Sequence, residues 1–229
     1  MKKKICFPVK ESIVKSVGFE RWEILNQFGE EANYGEIYTV CVDNECDYVL
    51  KYMPFDKENT EEGITKEVNI QNKCSKLNLS LPVIDAWLCE EGGALVMHKL
   101  DYTIANLFVV YTSDAVRNLI LANVIMILDK LHLHRIYHGD LHLNNIMVKE
   151  NNKNIDKNLD ELEIYNLSRY SYYFIDFGMS GELNQKTQKY IYKDYSDVYD
   201  HLLDLQDEDA SFSNVVEIMK IHMKKFDQS

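Results

Sequence analysis

Basic residues are in short supply in this chain. Against 37 Asp and Glu it carries 25 Lys and Arg, a net charge of −12, and nonspecific nucleic-acid binding, which relies on a basic face, is therefore not expected. Long hydrophobic runs are missing as well. The longest apolar stretch, near Leu119 to Leu128, is interrupted by Asn123 and is too short to cross a bilayer. The basic opening Met1-Lys2-Lys3-Lys4 has no long apolar segment behind it, so a secretory signal is not expected either. Cysteine is sparse, and its five copies are odd in number and irregular in spacing. That pattern predicts reduced thiols in an intracellular compartment, cytoplasmic in the first instance with nucleus and virion as variants. His132, His134, His138 and His142 lie close together in sequence, but no Cys or carboxylate spacing of the zinc-site kind accompanies them. There is no internal repeat and no tandem boundary. The 229 residues, 46% hydrophobic, suffice for one domain with a full core.

What the chain does have is a spacing of oxygen ligands. His138-Gly139-Asp140-Leu141-His142-Leu143-Asn144-Asn145 is followed by Asp176-Phe177-Gly178, and Asp176 is preceded by the β-like run Tyr172-Tyr173-Phe174-Ile175, which delivers it at a strand end. An isolated Asp-Phe-Gly is an ordinary turn tripeptide. In combination the residues mean more. A phosphoryl donor needs its charge neutralised by metal, and an acceptor hydroxyl needs a carboxylate to orient it and take its proton. Asp140 fits the base, and Asn145 and Asp176 fit the metal ligands. The chemistry implied is an ATP-dependent phosphotransferase using magnesium.

These motifs resemble the protein-kinase-like superfamily, and the resemblance covers most of residues 22 to 205. It implies an α+β, two-lobed fold in a single domain spanning 1–229, with a β-rich N-lobe over about 1–97 and a reduced helical C-lobe over about 98–229. Phe28-Gly29-Glu30-Glu31-Ala32-Asn33-Tyr34-Gly35-Glu36-Ile37-Tyr38 looks like the phosphate-covering hairpin. It is a degenerate one, keeping Gly29 and Gly35 without the middle glycine, and by itself it reads more often as an ordinary β-turn. Phe28, Gly29, Gly35 and Ile37 are the nucleotide contacts implied. Lys51, inside the strand Tyr48 to Met53, resembles the lysine that binds the α- and β-phosphates, although lysine in an alternating strand is ordinarily its solvent face. Its glutamate partner is sought on a helix over Asn59 to Leu77, capped by Thr60 with Glu61 and Glu62 in the first turn. Glu67 is the candidate, because Ile70 and Cys74 continue the same side.

Two strands, one over Leu81 to Cys89 and one over Ala94 to Met97, are expected around a turn at Gly92-Gly93. His98-Lys99-Leu100 would then be the hinge whose backbone pairs with adenine, His98 and Leu100 its contacts and Met97 the residue guarding the pocket. From Ser113 to His134, Val116, Leu119, Ile120, Val124, Ile127, Leu128 and Leu131 recur at three and four residues, a buried amphipathic helix capped by Ser113 or Thr112. His138 reads as the loop's structural histidine and His142 as a substrate-side residue. Glu150 to Asp160, rich in Asn, Lys and Asp, reads as a solvated inserted loop. Tyr195-Ser196-Asp197-Val198-Tyr199, separated from Gly178 by sixteen residues, resembles the start of the buried helix whose aspartate holds the catalytic-loop backbone, with Asp197 in that role. A last amphipathic segment runs from Phe212 to Phe226.

Departures narrow the family. No Ala-Pro-Glu ends the activation segment, and the overall design looks like a minimal atypical kinase of the haspin-like or KEOPS-kinase type, viral forms included. Gly139 stands where regulated protein kinases have arginine, and His142 where serine/threonine kinases have lysine. His-Gly-Asp-Leu-His-x-x-Asn also resembles aminoglycoside and choline phosphotransferases. The expected acceptor is a serine or threonine of a protein, with a small-molecule kinase as the alternative and a pseudokinase that binds a partner without turnover as the third reading. Neither a nucleic-acid nor a membrane partner is expected, and the sequence leaves the oligomeric state open.

Overall fold

The computed structural model describes residues 22–27, 36–57, 59–156 and 158–226. The hairpin stretch from Phe28 to Gly35 lies outside them. The chain divides into two compact units, 1–77 with 81–99 and 78–80 with 100–229.

The first unit is an antiparallel sheet with one helix. Its strands are β1 (Glu23–Gln27), β2 (Glu36–Val42), β3 (Glu45–Pro54), β4 (Asp85–Leu88) and β5 (Gly92–His98), in the order β1-β2-β3-β5-β4. Helix α1 (Glu61–Ser75) stands between β3 and β4 in sequence. Sequential pairing of β2 with β3 follows from the turn between them. Asp43 and Asn44 both take positive φ (50° and 67°), the turn conformation that matches the twist of a hairpin and that Asp and Asn tolerate. One face of the sheet packs Trp22, Tyr38, Val40, Leu50, Tyr52, Trp87 and Val96. The other packs Met53, Leu88, Leu95 and Met97 against Ile64 and Val68 of α1. A sheet covered on both sides explains why β3 reads as a continuous apolar run rather than an alternation.

Two expectations change in this unit. The turn between β4 and β5 falls at Glu90-Glu91, because Cys89 donates its N–H to the Gly92 carbonyl at 2.8 Å and Gly92 and Gly93 already belong to β5. A Cβ on Gly92 would lie 2.4 Å from the Met53 carbonyl oxygen, so this glycine serves close strand contact rather than turning. The thiols are not all reduced. Cys41 and Cys46 form a disulfide across the hairpin, with Cα atoms 4.0 Å apart, because the register shift between Val40 and Val42 brings them opposite one another. Cys89 is disulfide-bonded as well, and Cys74 is the free, buried cysteine among the described residues. The step from cysteine count to a reducing compartment loses its basis.

The second unit is mainly helical: β6 (Tyr102–Thr103), α2 (Ile104–Val110), α3 (Asp114–Leu133), β7 (Ile136–Tyr137), β8 (Ile146–Lys149), α4 (Glu161–Ser168), β9 (Ser171–Phe174), β10 (Gly181–Glu182), α5 (Lys189–Glu208) and α6 (Ser213–Met223). β6, β8 and β9 form one small sheet, and β7 pairs with β10. Helix α3 is the pillar, burying Val116, Ile120, Leu121, Val124, Ile127, Leu128 and Leu131. Leu119, expected inside, is 38% exposed, and Leu121 is buried in its place. No helix among the described residues is long and apolar enough to cross a membrane.

The described residues of the Glu150 to Asp160 stretch are loop, as expected, and lead into α4. Asp160 caps α4 by accepting from the Glu163 N–H at 2.9 Å, and α4 in turn caps α3. Glu161 accepts from the N–H of Thr112 (2.9 Å) and of Ser113 (2.7 Å) and from the Thr112 hydroxyl (2.8 Å). Ser113, the expected cap, makes no side-chain bond of its own. Partial burial pushes the Glu161 pKa up, but these hydrogen bonds outweigh it and hold the carboxyl below its ordinary value. Its folded pKa therefore lies under its unfolded one. The stabilisation is present above the unfolded pKa and fades as pH falls through the folded one. Glu161→Ala should destabilise the fold by about 1 kcal/mol at neutral pH, the usual cost of losing a helix cap. Denaturant unfolding of both proteins should show the difference shrinking in acid below the carboxylate range. An equal gap at neutral and strongly acidic pH would contradict the assignment.

Candidate active site

Lys51 sits in the middle of β3, opposite Ile37 of β2 on one side and Leu95 of β5 on the other. It is not on a solvent face. Lys51 is 6% exposed and its neighbours Leu50, Tyr52 and Met53 are buried too. An ammonium in such a place needs a partner, because an isolated buried charge loses its hydration without compensation. Glu67 supplies it, with Nζ to Oε1 at 2.9 Å and the glutamate 4% exposed. The helix is arranged to make this possible. Thr60 caps α1 by accepting from the Gly63 N–H at 3.0 Å, and Ile64, Glu67, Val68, Ile70, Gln71 and Cys74 share its buried side. Gln71, one turn beyond Glu67, donates to the Leu81 carbonyl at 3.1 Å. His98 closes β5 at the surface, stacked on Tyr48 with ring centroids 4.7 Å apart.

In the second unit the loop between β7 and β8 brings Asp140 and Asn145 together. Asn145 folds back so that its side-chain amide donates to the Asp140 carbonyl at 2.9 Å, while its own carbonyl accepts from the Ile175 N–H at 3.0 Å. Ile175 is the residue before Asp176. One asparagine thus ties the loop of Asp140 to the backbone beside Asp176. Asp176 takes a left-handed conformation, φ 60°, a strained geometry for a non-glycine residue that persists only where the surroundings enforce it. Part of that enforcement is visible. His138, fully buried, donates through Nε2 to the Ile175 carbonyl at 2.8 Å and packs its ring against Phe177. The expectation that His138 is structural agrees with this geometry.

A helix holds the loop from behind, through the aspartate read in the sequence and through a second one that was not. Asp194 of α5, fully buried, accepts from the N–H groups of His138 (2.9 Å) and Gly139 (2.7 Å) and from His132 Nε2 (2.9 Å). Asp197 accepts from the next loop amide, Leu141, at 3.2 Å. That Asp194 was missed has a simple source. Helix α5 begins at Lys189, two turns earlier than expected, which puts Asp194 inside the helix.

A model of the protein kinase domain matches residues 22–199, which takes in both the lysine strand and the loop just described. The chain belongs to the protein kinase family. No curated protein matches it. Leu100, the last of the expected hinge residues, is buried in the second unit, whereas Phe28, Gly29 and Gly35 lie outside the described residues.

The kinase also contains features that motif reading missed. His142, two residues past Asp140, lies beside His201 of α5, with ring centroids 6.1 Å apart. Burial and the neighbouring His142 together lower the His201 pKa, against an opposing pull from Asp204. The segment after Phe177 is pinned to the loop by side-chain and backbone hydrogen bonds. Ser180 Oγ donates to the His138 carbonyl at 2.9 Å, Gly181 and Glu182 pair with Tyr137 and Ile136, and Leu183 donates to the Arg135 carbonyl at 2.7 Å. Tyr190 stacks on Tyr137 at 4.2 Å, nearly parallel.

Gly139 is required by that pinning. Its φ is 85°, and a Cβ there would lie 2.6 Å from the Met179 carbonyl oxygen. Gly139→Ala should therefore cost roughly 1–3 kcal/mol of stability through left-handed strain and the displaced carbonyl. It should also make the 177–183 segment easier to cleave in limited proteolysis. A variant as stable and as protease-resistant as the parent would show that the contact does not constrain the loop.

Proposed function

We propose that this kinase moves the γ-phosphoryl group of Mg-ATP to a serine or threonine hydroxyl of a protein. The observation that carries the reading is the double use of Asn145, whose amide bonds the Asp140 carbonyl and whose carbonyl bonds the amide beside Asp176. Three residues whose chemistry phosphoryl transfer needs are thereby coupled in one network. Asp140 is the base that orients the acceptor hydroxyl and takes its proton. Lys51, fixed by Glu67, is the cation for the α- and β-phosphates. Asn145 and Asp176 offer the hard oxygen donors that magnesium prefers, and the metal, when bound, offsets the charge of the transferring phosphate.

A protein acceptor is supported by the family match, which continues through the segment beyond Gly178. Gly139 and His142 favour the second reading, a small-molecule kinase, because His-Gly-Asp-Leu-His also resembles aminoglycoside and choline phosphotransferases. The buried Lys51–Glu67 pair at 2.9 Å speaks against the third, a regulator without turnover, since a scaffold has no chemical need for it.

Labelled Mg-ATP offered to protein extract, and separately to aminoglycosides, choline and sugars, decides among them. Label is expected on protein serine or threonine. Label confined to small molecules favours the second reading, and nucleotide binding without any transfer favours the third. Asp140→Asn should lower transfer by at least about 100-fold while nucleotide still binds, since the amide keeps the shape but cannot take the proton. Asp176→Ala should weaken the magnesium dependence of nucleotide binding as well. An Asp140→Asn protein at the parental rate would refute the base assignment.

Activity is also expected to be independent of phosphorylation in the segment between Gly178 and Asp197. Regulated kinases order this segment by pairing a phosphate with the arginine before the catalytic aspartate. Here that position is Gly139, and backbone pairing with β7 supplies the order instead. Phosphatase-treated enzyme should keep most of its initial rate. A large loss restored by rephosphorylating Thr187, Tyr190, Tyr192 or Tyr195 would overturn this.

A further inference from the structure

Helix α3 is apolar on two faces. One face fills the core through Val116, Ile120, Val124, Ile127 and Leu131. The opposite side carries Ala115, Leu119, Ala122, Met126, Asp129 and Leu133, all of them exposed. Single apolar residues at a surface are commonplace. These six, however, follow one another at intervals of four and three, so they form one stripe along the helix. Leu119, Met126 and Leu133 are 38%, 58% and 79% exposed. The pattern is that of a coiled-coil seam.

The order of side chains along the seam says what fits it. Large residues, Leu119, Met126 and Leu133, alternate with the smaller Ala115, Ala122 and Asp129. A parallel helix pair would set like against like, leaving layers of unequal thickness and holes at the alanines. An antiparallel pair sets large against small in every layer. Leu133 meets Ala115 of a second copy, Met126 meets Ala122 and Leu119 meets Asp129, and the twofold repeats each contact. All three pairs share one register, because each has its midpoint at position 124.

The charges select the same arrangement. Helix α3 begins with Asp114 and ends among Lys130, His134 and Arg135, all exposed. Antiparallel pairing brings each acidic start to the basic end of the other copy, whereas parallel pairing would bring the basic ends together. Asp129 is the one polar position in the stripe, and its Oδ1 accepts from the Tyr195 hydroxyl of α5. A single polar position in such a seam fixes register at some cost in stability.

We propose that α3 is a self-association surface, pairing antiparallel with α3 of a second copy about a twofold axis at the level of Val124. The inference is independent of the phosphotransferase reading. The alanines let the two helices approach closely, and the seam from 115 to 133 extends over about 27 Å. A single helix pair is a small interface, so a reversible dimer with a Kd of roughly 1–50 μM is expected.

Sedimentation equilibrium of the full chain, loaded from about 1 to about 200 μM, tests this. The parent should pass from monomer to dimer across that range. Met126→Glu should weaken association at least about tenfold, because it buries an unpaired carboxylate against Ala122 of the other copy. Met126 is exposed, so the Tm of the dilute variant should match that of the dilute parent. Orientation is read by mild oxidation and peptide mass spectrometry. Ala115→Cys combined with Leu133→Cys should link position 115 of one copy to position 133 of the other. Leu133→Cys alone should not link at 133, since the two sites would lie about 27 Å apart, far beyond disulfide reach. A parent that stays monomeric throughout overturns the proposal and leaves the face to a different protein. A Met126→Glu variant that dimerises like the parent also overturns it, as does a link between two copies of position 133.

Discussion

The arrangement of the second unit depends on one buried carboxylate. Asp194 has no exposure and accepts from two consecutive backbone amides and an imidazole, and a buried charge is tolerable only when its lone pairs are used in this way. Because those amides belong to His138 and Gly139, satisfying Asp194 dictates the path of the chain into Asp140. His138 then carries the constraint forward, since its ring is fixed by Phe177 and its Nε2 proton is given to the Ile175 carbonyl. The constraint ends at Asp176, whose left-handed backbone is held where a relaxed chain would avoid it.

The same economy explains Gly139. In a kinase regulated by phosphorylation the residue before the base is a cation that waits for a phosphate. In this chain the position is a glycine at φ 85° that lets the Met179 carbonyl pass within 2.6 Å of where a Cβ would be. Backbone contact replaces charge. β7 and β10 pair directly, and the Tyr137–Tyr190 stack closes the far end of the segment. Burial and the proximity of Tyr190 and Asp194 raise the Tyr137 pKa, so its hydroxyl stays neutral through the physiological range.

Much of this was legible in the sequence, and the reasons are local. Lys51, Glu67, Asp140, Asn145 and Asp176 stand in motifs whose spacing is fixed by the turns they make. Glu67 could be separated from Glu61 and Glu62 because Ile70 and Cys74 marked the buried side, and Glu67, Ile70 and Cys74 share one face as the 3.6-residue period requires. Where the reading failed, the determinant was long-range. Asp197 does accept from the Leu141 amide, as expected, but Asp194 was missed, because placing it on the helix depends on where α5 begins. That start at Lys189 has no side-chain cap to announce it. The cysteine count misled for a similar reason, since a bulge in the pairing register rather than any spacing rule placed Cys41 against Cys46.

The stretch from Glu150 to Asp160, rich in Asn, Lys and Asp, has little apolar surface to bury and is loop in its described residues, as such a composition predicts. Helix α4 follows it and is fastened by polar bonds. Asp160 caps it, Glu161 satisfies the first amides of α3, and the Tyr165 hydroxyl accepts from Asn123 at 3.0 Å. The far side of that N-terminal turn of α3 is secured by Arg117, which donates to the carbonyls of Phe108 and Tyr111 and lies 3.9 Å above the Phe212 ring. Helix α4 is therefore fastened to the start of the helix whose other end carries His132. Since His132 donates to Asp194, α3 links the cap supplied by Glu161 to the carboxylate that shapes the catalytic loop.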